Sequence, residues 1–258
     1  MSHPLMRAAP VNAPDWLTER PVAHRGLHSK ARGVIENTLA AAEAAIARCY
    51  AIECDIQLAG DGEAVVFHDF TLPRLTQGHG RVDGFSVQEL IALRFKESEA
   101  KIAPLSAFLA AIAGRTPLII EVKSRFDGDL RLAERALAIV SAYAGPAALK
   151  SFDPDVLAFF RAQGFAGPIG LVAQARYEAA EWPELGASQR AALAALSAFS
   201  TVRPDFLSWH VGDLPHATPE LCRGGIGMPV LTWTVRSPAD RHRAQEWADQ
   251  MIFEGFEP

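Results

Sequence analysis

Cysteine is scarce in this chain. Cys49, Cys54 and Cys222, three in 258 residues, are too few and too odd in number for a disulfide framework, so they read as reduced thiols. Basic residues are not in excess. The chain has 25 Lys and Arg against 30 Asp and Glu, a net charge of −5, which argues against a nucleic-acid partner because such proteins carry a basic patch or stripe. Long apolar runs are missing as well. The longest stretches without Asp, Glu, Lys, Arg or His are 14 residues, Ala136–Leu149 and Ala162–Ala175, and both contain Gly and Pro; a spanning helix needs about 17–25 apolar residues. The first ten residues hold no apolar run of signal-peptide length. These absences predict a cytoplasmic chain with no transmembrane segment. Nothing in the sequence bears on its oligomeric state.

What is present is a large supply of core. Hydrophobic residues make up 49% of the chain and charged residues 21%, which excludes wholesale disorder. No Gly/Ser-rich linker, low-complexity tract or like-charge block divides the chain. Short apolar strand candidates alternate with alanine-rich helical stretches. The strands are Pro21–His24, Tyr50–Leu58, Pro117–Lys123, Ala147–Phe152, Ile169–Ala173, Asp205–Val211, Pro229–Val235 and Gln250–Glu254. Between them lie helical patterns such as Thr38–Arg48, Leu105–Ala113, Asp129–Ala144, Pro154–Gln163, Gln189–Ala198 and Pro238–Ala248, several preceded by cap residues (Asn37, Asp153, Ser237). This alternation predicts a parallel sheet with helical crossovers, and eight strands close it into a TIM (β/α)8 barrel occupying residues 1–258 as one domain.

One segment breaks the alternation. Asp61-Gly62 is a strong signal for a two-residue hairpin turn, and with that turn Asp55 lies directly opposite His68. Residues 69–103 then form an irregular insertion after the second strand. Its Phe70, Leu72, Leu75 and Phe85 either shape the cleft or give the insertion a core of its own.

The chemistry-bearing residues cluster at predicted strand ends. Glu53 and Asp55 share one face of a strand, as do Glu121 and Lys123. Three carboxylates suit a hard, oxygen-seeking cation such as Mg2+ or Ca2+; the alternative is a buried carboxylate–Lys123 ion pair without metal. His24-Arg25-Gly26 ends the first strand, with a histidine able to exchange protons and an arginine able to grip a phosphate. His68-Asp69 ends the excursion, where the acid either orients the imidazole or simply follows it. Two histidines, Arg25, Lys123 and three carboxylates at the carboxyl end of a barrel point to metal-assisted phosphodiester cleavage.

The same residues resemble the signature of glycerophosphodiester phosphodiesterases, among the phosphatidylinositol-phosphodiesterase-like TIM barrels. The matching motifs are Ala23-His24-Arg25-Gly26, Glu36-Asn37-Thr38, Glu53-x-Asp55, Asp61-Gly62 and Val65-Val66-Phe67-His68-Asp69. Further matches are Glu121-x-Lys123, Ser151-Phe152 and Trp233-Thr234-Val235. The resemblance implies a divalent metal on Glu53, Asp55 and Glu121, catalytic His24 and His68, and Arg25 and Lys123 at the phosphate. It also implies a glycerophosphodiester as the small-molecule substrate. A glycerol hydroxyl attacks the neighbouring phosphorus, a cyclic phosphate forms, and water opens it to glycerol 3-phosphate. Trp233 either lines the substrate pocket, as the resemblance suggests, or is a core aromatic. His210 is expected in a structural or pocket-rim role, His79, His216 and His242 in solvent, and His28 and Lys30 on a surface loop.

Three departures stand out. Ile35 replaces the proline usual before Glu36, Arg236 replaces an asparagine, and Ile252-Phe253-Glu254 replaces Ile-Thr-Asp. None removes a metal ligand or a proton-transfer residue. Two competing readings keep the barrel: a lysophospholipid- or sphingolipid-cleaving phosphodiesterase, which would want an apolar membrane-facing surface, and a non-catalytic phosphodiester-binding barrel, which would be expected to lack one of these residues.

Overall fold

Parallel strands covered on both sides are buried on both faces and read as nearly continuous apolar runs. The computed structural model, which describes residues 13–258, contains eight such strands and two additions. In chain order they are β1 (Val22–Ala23), β2 (Ala51–Leu58), β3 (Ala64–Val66), β4 (Ala103–Pro104), β5 (Leu118–Val122), β6 (Ala147–Ser151), β7 (Ile169–Ala173), β8 (Phe206–His210), β9 (Val230–Val235) and β10 (Gln250–Phe253). All but β3 and β4 pair in parallel in sequence order, and β10 returns to β1. The ring is closed, and with its helices it is a TIM barrel. β3 and β4 add antiparallel to the edge after β2.

The helices are α1 (Leu39–Ala47), α2 (Val87–Ala92), α3 (Leu105–Ile112), α4 (Arg131–Ser141), α5 (Pro154–Ala162), α6 (Ala187–Ala194), α7 (Phe199–Val202), α8 (Ala217–Glu220) and α9 (Pro238–Trp247). Asp153 and Ser237 cap α5 and α9 as expected, each followed by proline. At α1 the cap moves on by one residue: Thr38 Oγ1 accepts from the Ala41 amide at 3.3 Å, which frees Asn37 for another role. The expected Gln189–Ala198 helix is shorter and is followed by α7; α8 and a π turn at Leu221–Gly225 have no counterpart in the sequence pattern. No helix among the described residues is long and apolar enough to cross a membrane.

The barrel interior changes character from floor to rim. Val22, Ala51, Ile119, Ala148, Phe206, Leu231 and Ile252 form one apolar cluster, with Leu17 from the preceding 3-10 turn packed against them. Two residues further along, on the same faces, the strands carry His24, Glu53, Glu121, Lys150, Ser208, Trp233 and Glu254. Fully burying each large side chain of the floor is worth about 1.5–3 kcal/mol, and the floor stabilises a ring whose upper layer is mostly charged. Gly170 makes room for it, since a Cβ there would lie 2.1 Å from the Phe206 ring.

The hairpin register differs from expectation by one residue. Ile56, Gln57 and Leu58 pair with Val66, Val65 and Ala64. The turn has three residues, Gly60-Asp61-Gly62, because Ala59 and Glu63 are the closing pair. Gly62 takes a φ of 84° while Asp61 does not go positive, the pattern of a three-residue loop that ends in a left-handed glycine. Phe67, not His68, is therefore tied to Asp55, its amide donating to the Asp55 carbonyl at 3.0 Å. Phe67 turns into the insertion's own core with Leu72, Val82, Leu90, Phe95 and Ile102. Leu75 and Phe85 pack on that core as well, whereas Phe70 is 38% exposed. The insertion is not wholly irregular either: α2 begins with a capping box between Ser86 and Glu89.

Candidate active site

The motif Glu36-Asn37-Thr38 shows how the chain places its charges. Thr38 starts α1, Asn37 grips Asp55, and Glu36 grips arginines. The Asn37 amide donates to Asp55 Oδ2 at 2.9 Å while its carbonyl accepts from the Asp55 backbone N–H at 3.1 Å. Arg25 adopts a left-handed φ of 57°, a conformation that costs a non-glycine residue about 1–3 kcal/mol. In that conformation its amide donates to Glu53 Oε2 at 3.1 Å. Its guanidinium reaches Glu36 at 2.6 Å and Asp55 at 3.3 Å.

Glu53, Asp55 and Glu121 are all buried, and each offers a carboxylate oxygen within 4.8 Å of the others. Strand register produces this, since Asp55 is level with Glu121 on β5 and Glu121 with Lys150 on β6. Two lysines neutralise the cluster. Lys123 Nζ lies 2.8 Å from Asp55 and 2.5 Å from Glu121. Lys150 Nζ lies 2.9 Å from both Glu53 and Glu121. Burial opposes the charge on Glu121, but Lys123 and Lys150 outweigh it and hold the carboxyl down at about 2. Asp55 behaves alike: burial pushes it up, and Lys123, His68 and Arg25 bring it well below the usual carboxylate range. The lysines are held above their ordinary value by the same carboxylates despite burial. Cys54, between the two acids in sequence, points away from them; burial and then Glu53 and Asp55 push its thiol far up, in keeping with a reduced, unreactive side chain.

Both histidines have a carboxylate on Nδ1 and an arginine behind that carboxylate. His24 Nδ1 is 2.5 Å from Glu254 Oε2, and Arg236 Nε is 2.5 Å from Glu254 Oε1. His68 Nδ1 is 2.7 Å from Asp69 Oδ1, and Arg74 Nε is 2.6 Å from Asp69 Oδ2. Arg74 also binds Glu36 at 2.6 Å, which joins His68 to Arg25 through an unbroken chain of ion pairs. Burial raises Asp69, and His68 and Arg74 more than offset it, leaving that carboxyl at about 2. Glu254 is likewise buried against ionisation yet driven well below the usual range by His24 and His28. With Nδ1 of each ring held by a carboxylate, Nε2 is the ring nitrogen left able to exchange a proton.

A cavity of about 780 Å³ opens beside the carboxylates, lined by His68, Glu121, Lys123 and Trp233 among others. Trp233 Nε1 donates to the Ser208 carbonyl at 2.9 Å, which fixes the ring at the cavity wall. His210 lies edge-on to Trp233 with centroids 5.0 Å apart. Two other histidines differ from expectation. His28 turns inward to within 3.5 Å of Glu254. His216 stacks on Trp209 with centroids 5.0 Å apart and accepts from the Thr218 amide.

A sequence model of the Glycerophosphoryl diester phosphodiesterase family matches residues 24–254. The chain belongs to this family. A glycerophosphodiester phosphodiesterase of Caldanaerobacter subterraneus subsp. tengcongensis is 37% identical over 111 residues, 40% of this chain and 44% of the relative. The match thus spans less than half the length of that curated relative. Among solved structures, an Oleispira antarctica phosphodiesterase in complex with the product sn-glycerol-3-phosphate superposes with a TM-score of 0.75 at 20% identity, covering 92% of this chain and 93% of the other. A Thermotoga maritima glycerophosphodiester phosphodiesterase superposes with a TM-score of 0.68 at 22% identity, covering 91% and 94%. At these identities the superpositions establish the shared barrel.

Two of the three departures from the family pattern lie against each other, since Arg236 binds Glu254, which in turn holds His24. Ile35, the third, packs on the core of the insertion. Lys150, Glu254 and the grip of Asn37 on Asp55 were not anticipated. The usable signal for Lys150 is a lone lysine in Ala147-Ala148-Leu149-Lys150-Ser151, since a buried cation in an apolar strand requires a counter-charge.

The triad also fits a metal. The donors are all carboxylate oxygens, the set preferred by Mg2+ and Ca2+. Buried Glu53 Oε1 has the Lys150 ammonium 2.9 Å away, and an ionised carboxylate oxygen has acceptor capacity beyond one such contact, which leaves room for a cation.

Proposed function

We propose that this protein is a metal-dependent glycerophosphodiester phosphodiesterase that releases glycerol 3-phosphate and an alcohol. The observation that carries the reading is the pair of histidines, each aligned by a carboxylate, beside an acidic triad that is interleaved with Arg25, Lys123 and Lys150. Arg25 and Lys123 bind the phosphate oxygens and orient the diester. One imidazole Nε2 removes the proton of the glycerol hydroxyl next to the phosphate. That oxygen bonds to phosphorus, and the bond from phosphorus to the alcohol breaks. The second imidazolium gives its proton to the departing oxygen, leaving a cyclic phosphate. Water then opens the ring with the two proton transfers reversed. The nucleophile is tethered to the phosphate, so no bimolecular encounter is needed for the first step. A divalent cation held by Glu53, Asp55 and Glu121 would stabilise negative charge on the phosphoryl oxygens. Glu254 and Asp69 keep each ring in the tautomer that presents Nε2.

The test is product analysis on glycerophosphocholine, glycerophosphoethanolamine and a lysophospholipid, with and without chelator. Chelator-sensitive release of glycerol 3-phosphate from the first two is expected. Cleavage of the lysophospholipid alone would transfer the reading to a lipid phosphodiesterase, and chelator-resistant activity would remove the metal from it.

A further inference from the structure

The cavity beside the triad has two unlike walls. On one, Arg81 and Arg125 both bind Asp83, and Arg125 also lies over the Phe70 ring with 5.7 Å to its centroid. Asp83 thus offsets one of the two positive charges on that wall. The other wall is aromatic. Phe152 lies at its centre, nearly perpendicular to Trp233 with centroids 5.4 Å apart and tilted against Trp182 at 4.9 Å. Phe126 meets Trp182 edge-on at 6.1 Å. All four rings are half-buried and line the cavity, so each keeps part of its surface toward the space a ligand would fill. Tyr177 is buried behind them, 5.1 Å from Trp182, and holds that ring in place. The exposed margin of this wall carries Glu181 and Glu184, and neither forms an ion pair with any described residue. Lys123, one of the two cations assigned to the phosphate, and the acidic, aromatic wall thus face the same cavity.

We propose that Phe126, Phe152, Trp182 and Trp233, with Glu181 and Glu184 at their margin, form a subsite for a quaternary ammonium group on the leaving alcohol, so that diesters of choline-type alcohols are the preferred substrates. This rests on the diesterase reading and narrows it. A quaternary ammonium has no N–H to donate. It is recognised by the electron-rich faces of several rings at differing angles, which attract the cation and match its apolar methyl groups. Uncommitted carboxylates nearby add long-range attraction, whereas an anionic or neutral alcohol gains nothing from either.

Two measurements test this. In the first, kcat/KM is compared for glycerophosphocholine and glycerophosphoglycerol. The wild type is expected to favour the choline diester by about tenfold or more. Trp182→Leu should bring the ratio close to one, mainly through KM of the choline diester, and Trp182→Phe should restore most of it. Because Glu181 and Glu184 are exposed, Glu181→Gln with Glu184→Gln leaves the fold intact; it should lower the ratio severalfold at low salt and less at high salt. The second is calorimetric titration of the intact protein with tetramethylammonium chloride, which needs no turnover. Saturable binding that Trp182→Leu weakens by about tenfold is expected. Turnover of both diesters with equal kcat/KM and no tetramethylammonium binding would overturn the subsite and leave the diesterase standing. Binding without turnover of any diester would do the reverse.

Discussion

Replacing Lys150 with methionine keeps most of the volume of the side chain and removes its charge. Lys150 is 2% exposed and contacts Glu53 and Glu121 at 2.9 Å each. Without it, two buried carboxylates face each other across the space it filled, and for Glu53 no other cation lies in comparable contact among the described ion pairs. Removing one partner of a buried ion pair costs about 3–5 kcal/mol, because the remaining charge is left uncompensated. For a chain of this length, each kcal/mol moves Tm by about 2–4 °C, so Lys150→Met should melt about 6–20 °C lower in chelator. The variant should also gain more from a divalent cation than the wild type does. At one hundred times Kd the wild type gains about 2.7 kcal/mol, and a site with one fewer positive charge binds the cation more tightly. Calorimetry on both proteins, in chelator and in excess Mg2+ or Ca2+, gives the four melting temperatures required. A variant that melts within a degree or two of the wild type in chelator would refute the idea that lysine charge holds the triad together.

The remaining predictions concern the histidines and the barrel floor. Glu254→Gln should lower kcat by about 10²–10⁴, the range for a compromised acid–base group, with its pH profile altered; Tm should fall as well, because the carboxylate pairs with His24, His28 and Arg236, so an unaltered pH profile would make Glu254 merely structural. Asp69 titrates at about 2 in the folded protein against an ordinary 3.8, so its stabilisation is complete above about pH 4 and fades as pH falls through 2. The stability gap between wild type and Asp69→Asn should therefore narrow on acidification, as read by urea unfolding at a series of pH values. Gly170→Ala puts a methyl against the Phe206 ring and should cost about 1–3 kcal/mol by overpacking, measurable in the same urea experiment.

The barrel was largely legible in the sequence because its strands are buried on both faces and mostly alternate with helices; observed strand ends fall within a residue or two of those expected. Glu53, Asp55, Glu121 and Lys123 were legible for the same reason, since alternation within one strand sets which side chains share a face. What could not be seen depends on neighbours distant in sequence. Lys150 has no charged neighbour within its own strand and makes sense only beside Glu121 on the adjacent one. Glu254 meets His24 across 230 positions of chain. The hairpin register turned on whether Gly60 belonged to the strand or to the loop, and a one-residue change there exchanged Phe67 for His68 opposite Asp55. His68 still reaches the cavity, because it lies just beyond the ladder, where the chain leaves β3 with its carbonyl held by Gln57 at 2.8 Å. The aromatic wall was hidden for a different reason: its rings come from the ends of β5, β6, β7 and β9 and from the loops that follow them, and only the closed barrel brings those ends together.

The most direct measurement is the rate of glycerol 3-phosphate release from glycerophosphocholine by the wild type, His24→Ala and His68→Ala under identical divalent-cation conditions. Each substitution is expected to lower kcat by about 10²–10⁴, and the double variant little further, because the proposed mechanism puts the two rings in the same proton-transfer cycle. Activity that survives in either single variant at the wild-type rate would contradict the paired-histidine mechanism.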